Sequence, residues 1–223
     1  MHPGVVLLSV VFSLNASTLY TFDFSSPTGK LGVTQSYTAD PVPLPAISIT
    51  LSGFLGNGVG VPHRLFGKQD FTSDENGVGL DDLLADEITR AGFVQIDLKP
   101  LTGAGNLTAF ALMFGSVTGG DGWIVYGTNT SGSLGGATKL KSGSADFGVF
   151  VNFSTIPATR YIDVTASGGR TSNILLSQLR VSLDDPDPQA TPEPATFPLM
   201  AIALAGLGAR RLRHYRLRRD SSS

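Results

Sequence analysis

Asp70, Asp74, Glu75, Asp81, Asp82, Asp86 and Glu87 crowd one stretch of a chain in which charged residues make up only 15%. Carboxylates at this density offer two chemistries. A pair at suitable separation hydrolyses glycosidic bonds, one acting as acid and the other as base or nucleophile. Several hard oxygens gathered in a turn hold calcium. The segment "DFTSDENGVGL" sets Asp70, Asp74, Glu75 and Asn76 ahead of Gly77, and these are calcium-type ligands. It does not fit the EF-hand template. Aligning Asp74, Asn76 and Gly77 with the third, fifth and sixth loop positions puts Thr72 first and Leu83 last, where a bidentate Glu is needed. A calcium site of another kind and a plain Asx turn both stay open. For hydrolysis the candidates are too many to discriminate, and most suit the solvated rim of a loop.

Other reactive types are scarce. There is no cysteine, which removes disulfides, zinc–thiolate sites and thiol nucleophiles together. Outside the two termini the single histidine is His63, in "GVPHRLFGK", and no G-x-S-x-G elbow accompanies it, so a loop histidine is the expected role. The glycine-rich turn 56–60 lacks the lysine of a phosphate cradle. A sugar platform has better materials: Trp123 and Tyr126 follow "GGDG", which contains Asp121. On a strand, however, Trp123 and Tyr126 point to opposite faces, and a lone tryptophan in a sandwich is more often core.

These residues sit among short β-branched or alternating runs separated by glycine-rich turns. The predicted strands are 19–24, 46–54, 92–98, 107–114, 123–128, 147–153, 160–166 and 172–183. In "FVQIDL", Phe93, Gln95 and Asp97 alternate with Val94, Ile96 and Leu98, the pattern of a half-buried strand. The one helical candidate, "LDDLLADEIT" at 80–89, amounts to a turn or two on a loop. With Gly 27 and Pro 13, this spacing predicts an all-β antiparallel β-sandwich, jelly-roll or galactose-binding-like, over residues 18–183.

The ends differ from the body. Val5 to Leu14 is an apolar run of signal-peptide length with small residues after it, so 1–17 is expected to direct export through the Sec machinery. Nothing before the run is Lys or Arg, and a basic region upstream of Met1 would complete the pattern. Residues 1–190 carry 10 Lys+Arg against 16 Asp+Glu, whereas 191–223 carry 6 against 2, giving −6 and +4. An acidic body argues against nucleic acid as a partner. Ala195 to Ala209 has no charge, and as a helix it would span about 22 Å at ~1.5 Å per residue. That falls short of a ~30 Å hydrocarbon core, a gap that snorkelling arginines and local thinning close. Arg210, Arg211 and Arg213, with the arginines after them, would hold this end in the cytoplasm and the body outside. Before the run, 184–191 is a stiff acidic linker rich in proline.

Pro192-Glu193-Pro194-Ala195-Thr196, an apolar span from Phe197, and the arginine cluster together resemble the PEP-CTERM sorting signal, here residues 192–219. The resemblance implies an integral-membrane exosortase that recognises the Pro-Glu-Pro tripeptide and cuts near it. It implies a Gram-negative host, transient residence in the inner membrane, delivery to the cell surface or outside, and an association with exopolysaccharide and biofilm. Physically, Pro192 and Pro194 keep the chain extended, as a protease site requires. The body is similar to a recurring β-rich ectodomain of such proteins, through "DFSSPTGKLGVTQSYT", "DENGVGL", "EITRAGFVQIDL" and "GDGWIVYGTNTSGSLGG"; this transfers no functional residue. The expectation is a non-enzymatic exported surface or matrix protein with no cofactor, calcium being the one candidate. A carbohydrate-binding or calcium-dependent lectin-like module is the alternative, and a secreted hydrolase comes last.

Overall fold

Along the chain the strands run β1 (Ser17–Asp23), β2 (Gly29–Lys30), β3 (Thr34–Thr38), β4 (Ser48–Leu55), β5 (Val61–His63), β6 (Leu65–Lys68), β7 (Gly77–Leu80) and β8 (Ile88–Thr89). They continue as β9 (Gly92–Asp97), β10 (Asn106–Gly115), β11 (Asp121–Thr128), β12 (Thr138–Ser144), β13 (Phe150–Phe153), β14 (Tyr161–Gly168) and β15 (Asn173–Asp184). The single α-helix among the described residues, α1 (Lys99–Ala104), has Pro100 in its first turn, where a missing amide costs nothing. The computed structural model describes residues 17–42, 46–70, 75–116, 121–144, 148–154 and 158–184, all within the compact unit Met1–Asp185.

The strands form two antiparallel sheets. One follows the order β13-β10-β15-β7-β6-β2, with β1 and β8 also on β15; the other follows β12-β11-β14-β9-β4-β3, with β5 on β4. Alternation explains how they close on each other. In β15, Leu179, Val181 and Leu183 are buried while Gln178, Arg180 and Ser182 are partly open, the period-two signature of a one-sided strand. Register then stacks the apolar side chains in rows: Phe22, Leu179 and Leu112 lie abreast, as do Tyr20, Val181, Phe110 and Phe153. The second sheet answers with Leu51, Ile96 and Ile162 in one row and Val94, Val164 and Val125 in the next. All but the half-buried Tyr20 belong to one buried cluster between the sheets. Full burial of each such aliphatic or aromatic side chain stabilises by about 1.5–3 kcal/mol.

Every predicted strand is present, with ends displaced by a few residues. The antiparallel sandwich is what the periodicity predicted. Two expectations change. First, "FVQIDL" is not half-buried: Phe93 and Gln95, on the outward face of β9, are as buried as Val94 and Ile96, because a chain segment crosses over them. Second, β2, β3, β5, β6, β7, β8 and β12 add to the predicted set. The helical candidate at 80–89 is the short turn expected of it, a 3-10 turn at Leu84–Asp86 between β7 and β8. β7, "GVGL", is buried at all four positions and so carries no alternation to read. Its Gly79 is required by close approach: a Cβ there would lie 2.2 Å from the Asp86 carbonyl oxygen.

No helix among the described residues is long and apolar enough to cross a membrane. The predicted signal segment up to Ala16 and the predicted span at 195–209 lie outside the described residues.

Candidate functional site

Within the acidic stretch Asp70 and Asp82 are exposed, as a solvated rim requires, but Asp81 and Glu87 are buried and paired with cations. Asp81 and Glu87 are each 1% exposed. Asp81 pairs with Lys30 at 3.1 Å and Arg64 at 3.7 Å, and Glu87 with Lys68 at 2.7 Å. Burial nonetheless raises the Glu87 carboxyl above the ordinary carboxylate range, against the Lys68 bond that lowers it. Between the two acids, Asp82, Ala85 and Asp86 adopt φ of 60°, 54° and 57°. That is the left-handed region, which Asp adopts more readily than most residues with a Cβ, and the Asp82 amide donates to Asp86 Oδ1 at 3.0 Å across the turn. His63 donates from Nε2 to the backbone carbonyl of Asp81, so its partner is not a carboxylate.

Of the proposed calcium ligands, Asp70 donates its amide to Asn76 Oδ1 at 2.9 Å, and Glu75 pairs with Lys68 at 2.9 Å. The Asn76 carbonyl accepts from the Ser177 hydroxyl. Asp74 lies outside the described residues. Among the described residues no group of three or more His, Asp or Glu is placed to hold a metal ion.

The three residues of the predicted sugar platform are not brought together. Trp123 is 3% exposed between the sheets, stacked on Phe114 with centroids 4.9 Å apart. Asp121 is buried at the start of β11. Tyr126 emerges alone on the outward face, in register with Asp163, which is in turn abreast of Gln95 and Ser52.

That outward face carries a built site. Residues 129–136 fold back across it as a strap. Gln95 Oε1 accepts from the Gly132 amide at 3.1 Å and the Ser131 hydroxyl at 3.2 Å, while Nε2 donates to Asp163 Oδ1 at 2.7 Å. The strap is also tied to the 56–60 turn, with Gly60 N donating to the Gly132 carbonyl at 2.7 Å and Leu134 N to the Gly58 carbonyl at 2.8 Å. Gly132, at φ 65°, lies against the Phe54 ring, where a Cβ would approach it to 2.7 Å. Between strap, turn and sheet opens a cleft of about 290 Å³ lined by Asn57, Arg90, Ile124, Tyr126, Leu134 and Thr165. Asp163 lies in the row below the strap, fully buried, with Oδ2 unpartnered, and desolvation lifts its carboxyl to about 7 although the Gln95 bond opposes this. Asp163 does not line the cleft, but a preformed cleft with an apolar lining and few polar groups is the usual composition of a ligand site.

A larger cavity of about 580 Å³ opens at the other end of β9, between α1 and residues 158–160. Its Arg160 is already held by Asp97 through two bonds of 3.1 and 2.7 Å. Arg90, by contrast, gives one bond to the Gly168 carbonyl and has no ion pair among the described residues. Arg90 therefore keeps donors for a ligand in the smaller cleft.

Beyond the sandwich, residues 190–213 match the family model of the PEP-CTERM protein-sorting motif. The chain carries a PEP-CTERM sorting signal. The PEP-CTERM match spans Pro192, Glu193, Pro194, Ala195 and Thr196 as well as Arg210, Arg211 and Arg213, all outside the described residues. It marks an exported protein whose sorting depends on an exosortase. No curated protein and no solved structure matches this PEP-CTERM chain. Its sandwich must therefore be read from its own residues. The cleft was missed in the sequence because Asn57, Arg90, Tyr126 and Leu134 come from four separate places. The one local signal was "NTSGSLGG" after β11, a glycine- and serine-rich segment too long for a tight hairpin.

Proposed function

We propose that this protein is a non-enzymatic surface or matrix component of a Gram-negative bacterium, built on a jelly-roll or galactose-binding-like sandwich. The chain is exported by Sec under the direction of 1–17, and the apolar run 195–209 with its arginines holds the precursor in the inner membrane. An exosortase then processes it near Pro192-Glu193-Pro194. The product serves at the cell surface or outside, in association with exopolysaccharide and biofilm. The observation that carries this reading is the sorting motif at 190–213. A non-catalytic role is supported by the pairing of Asp81 and Glu87 with lysines and by His63 bonding to backbone.

Intact-mass analysis of the protein from its host, with and without the exosortase, tests it. Loss of the residues after the tripeptide only when the enzyme is present is the expected result; an uncleaved cytosolic product would overturn it. A second reading, a carbohydrate-binding or lectin-like module, is favoured by the Tyr126 cleft. Calcium dependence belongs to that reading through Asp70, Asp74, Glu75 and Asn76. A melting transition that shifts on adding a chelator would support the calcium part.

A further inference from the structure

We propose that the cleft beneath the strap binds a carboxylated sugar ring, with the Arg90 guanidinium taking the carboxylate and Tyr126 supporting the ring. This deepens the carbohydrate-binding reading and is independent of how the chain is sorted.

Charge at the cleft is the first argument. Arg90 is the one ionic side chain among the residues that line it, and no carboxylate lines it. In a body of net −6 that is a local reversal of sign. Arg90 is exposed, and its single bond through Nη1 to the Gly168 carbonyl fixes the side chain without neutralising it. A guanidinium offers five N–H donors in a planar fork, so the remaining ones suit the two oxygens of a carboxylate.

The second argument is the floor. Ile124, Tyr126 and Leu134 give the cleft an apolar and aromatic lining. Aromatic and aliphatic surface of this kind covers the C–H faces of a pyranose and leaves its hydroxyls outward. Asn57, on the turn that closes one side, supplies an amide that both donates and accepts, as a ring hydroxyl requires. The Thr165 hydroxyl is already given to the Gly92 carbonyl at 2.8 Å, so it is not counted.

Size and rigidity make the third. About 290 Å³ admits one ring and part of a neighbour, not a long chain laid along a groove. The strap, the 56–60 turn and Gln95 are hydrogen-bonded to one another before any ligand arrives, so little ordering has to accompany binding.

The test is calorimetric titration of the full-length protein with galacturonate and its trimer, against galactose and its trimer, and against acetate. Expected is binding of the acidic trimer at least about tenfold tighter than the neutral one, with free galacturonate weaker and acetate weaker still. Arg90→Gln should abolish that preference by bringing the acidic trimer down to the affinity of the neutral one, and Tyr126→Ala should weaken both sugars. Arg90 is exposed with one hydrogen bond, so the melting temperature of Arg90→Gln should match wild type and separate recognition from folding. Equal affinity for acidic and neutral trimers overturns the carboxylate assignment. Acetate binding as tightly as galacturonate overturns the sugar assignment. No binding of any probe, or full retention of the preference in Arg90→Gln, overturns the site.

Discussion

Gln95 and Asp163 face each other across β9 and β14, joined by a 2.7 Å hydrogen bond from Nε2 to Oδ1 on the sheet face that should have met water. Gln95 spends its carbonyl oxygen on the strap, and Asp163 is left with its other oxygen buried and unpartnered. One residue thus couples a chain crossing to a carboxyl group that cannot reach solvent.

Gln95→Leu removes the one acceptor, Oε1, that serves two strap donors, and the donor to Asp163. Buried polar groups left without partners cost about 1–3 kcal/mol each. A loss of roughly 3 kcal/mol is expected in urea unfolding, with faster amide exchange at Gly132. Unchanged exchange there would mean the strap is held by its ties to the 56–60 turn alone.

Asp163 makes stability depend on pH in an unusual direction. Its folded value, about 7, lies above the ordinary 3.8, so between those values the folded state binds the proton and the unfolded state does not. Stability from this group therefore falls as pH rises from about 4 to about 7 and is level above that. The full span corresponds to as much as about 4 kcal/mol. Glu87, also raised, slopes the same way. Asp163→Asn should flatten the Asp163 part of the slope in denaturation curves at pH 5 and pH 7.5; an unchanged slope would assign it to Glu87.

Lys68→Met leaves the Glu87 carboxyl, 1% exposed, without its cation. Breaking a buried pair from one side costs roughly 3 kcal/mol, and Lys68→Met with Glu87→Gln should recover much of it. A double-mutant cycle by chemical unfolding measures the coupling, and additive losses would show that the pair is not the source.

The one tryptophan reports the core and not the ligand. Trp123 is packed on Phe114 and against Gly143, so its fluorescence should be blue-shifted, poorly quenched by iodide and indifferent to sugars. Trp123→Ala should cost about 3–5 kcal/mol. A ligand-dependent change in its emission would place binding on the other side of the sheet.

Periodicity alone determined the class of fold and the approximate position of eight strands, because burying one face of a strand writes a period-two pattern into its residues. The Pro-Glu-Pro, apolar and arginine order determined the address, because a sorting signal is read as extended local sequence and needs no fold around it. Short strands such as β7 escaped, since a strand buried on both faces shows no alternation. Tertiary structure alone decided that Gln95 and Asp163 are interior, because what hides them is a strap some 35 residues further along the chain from Gln95. It also decided that Asp81 and Glu87 are buried, as their cations come from β2 and β6. The Arg90 and Tyr126 cleft likewise exists only once a turn, two strands and the strap converge. Distances of that kind are set by sheet register and loop crossing, which no local run of residues records.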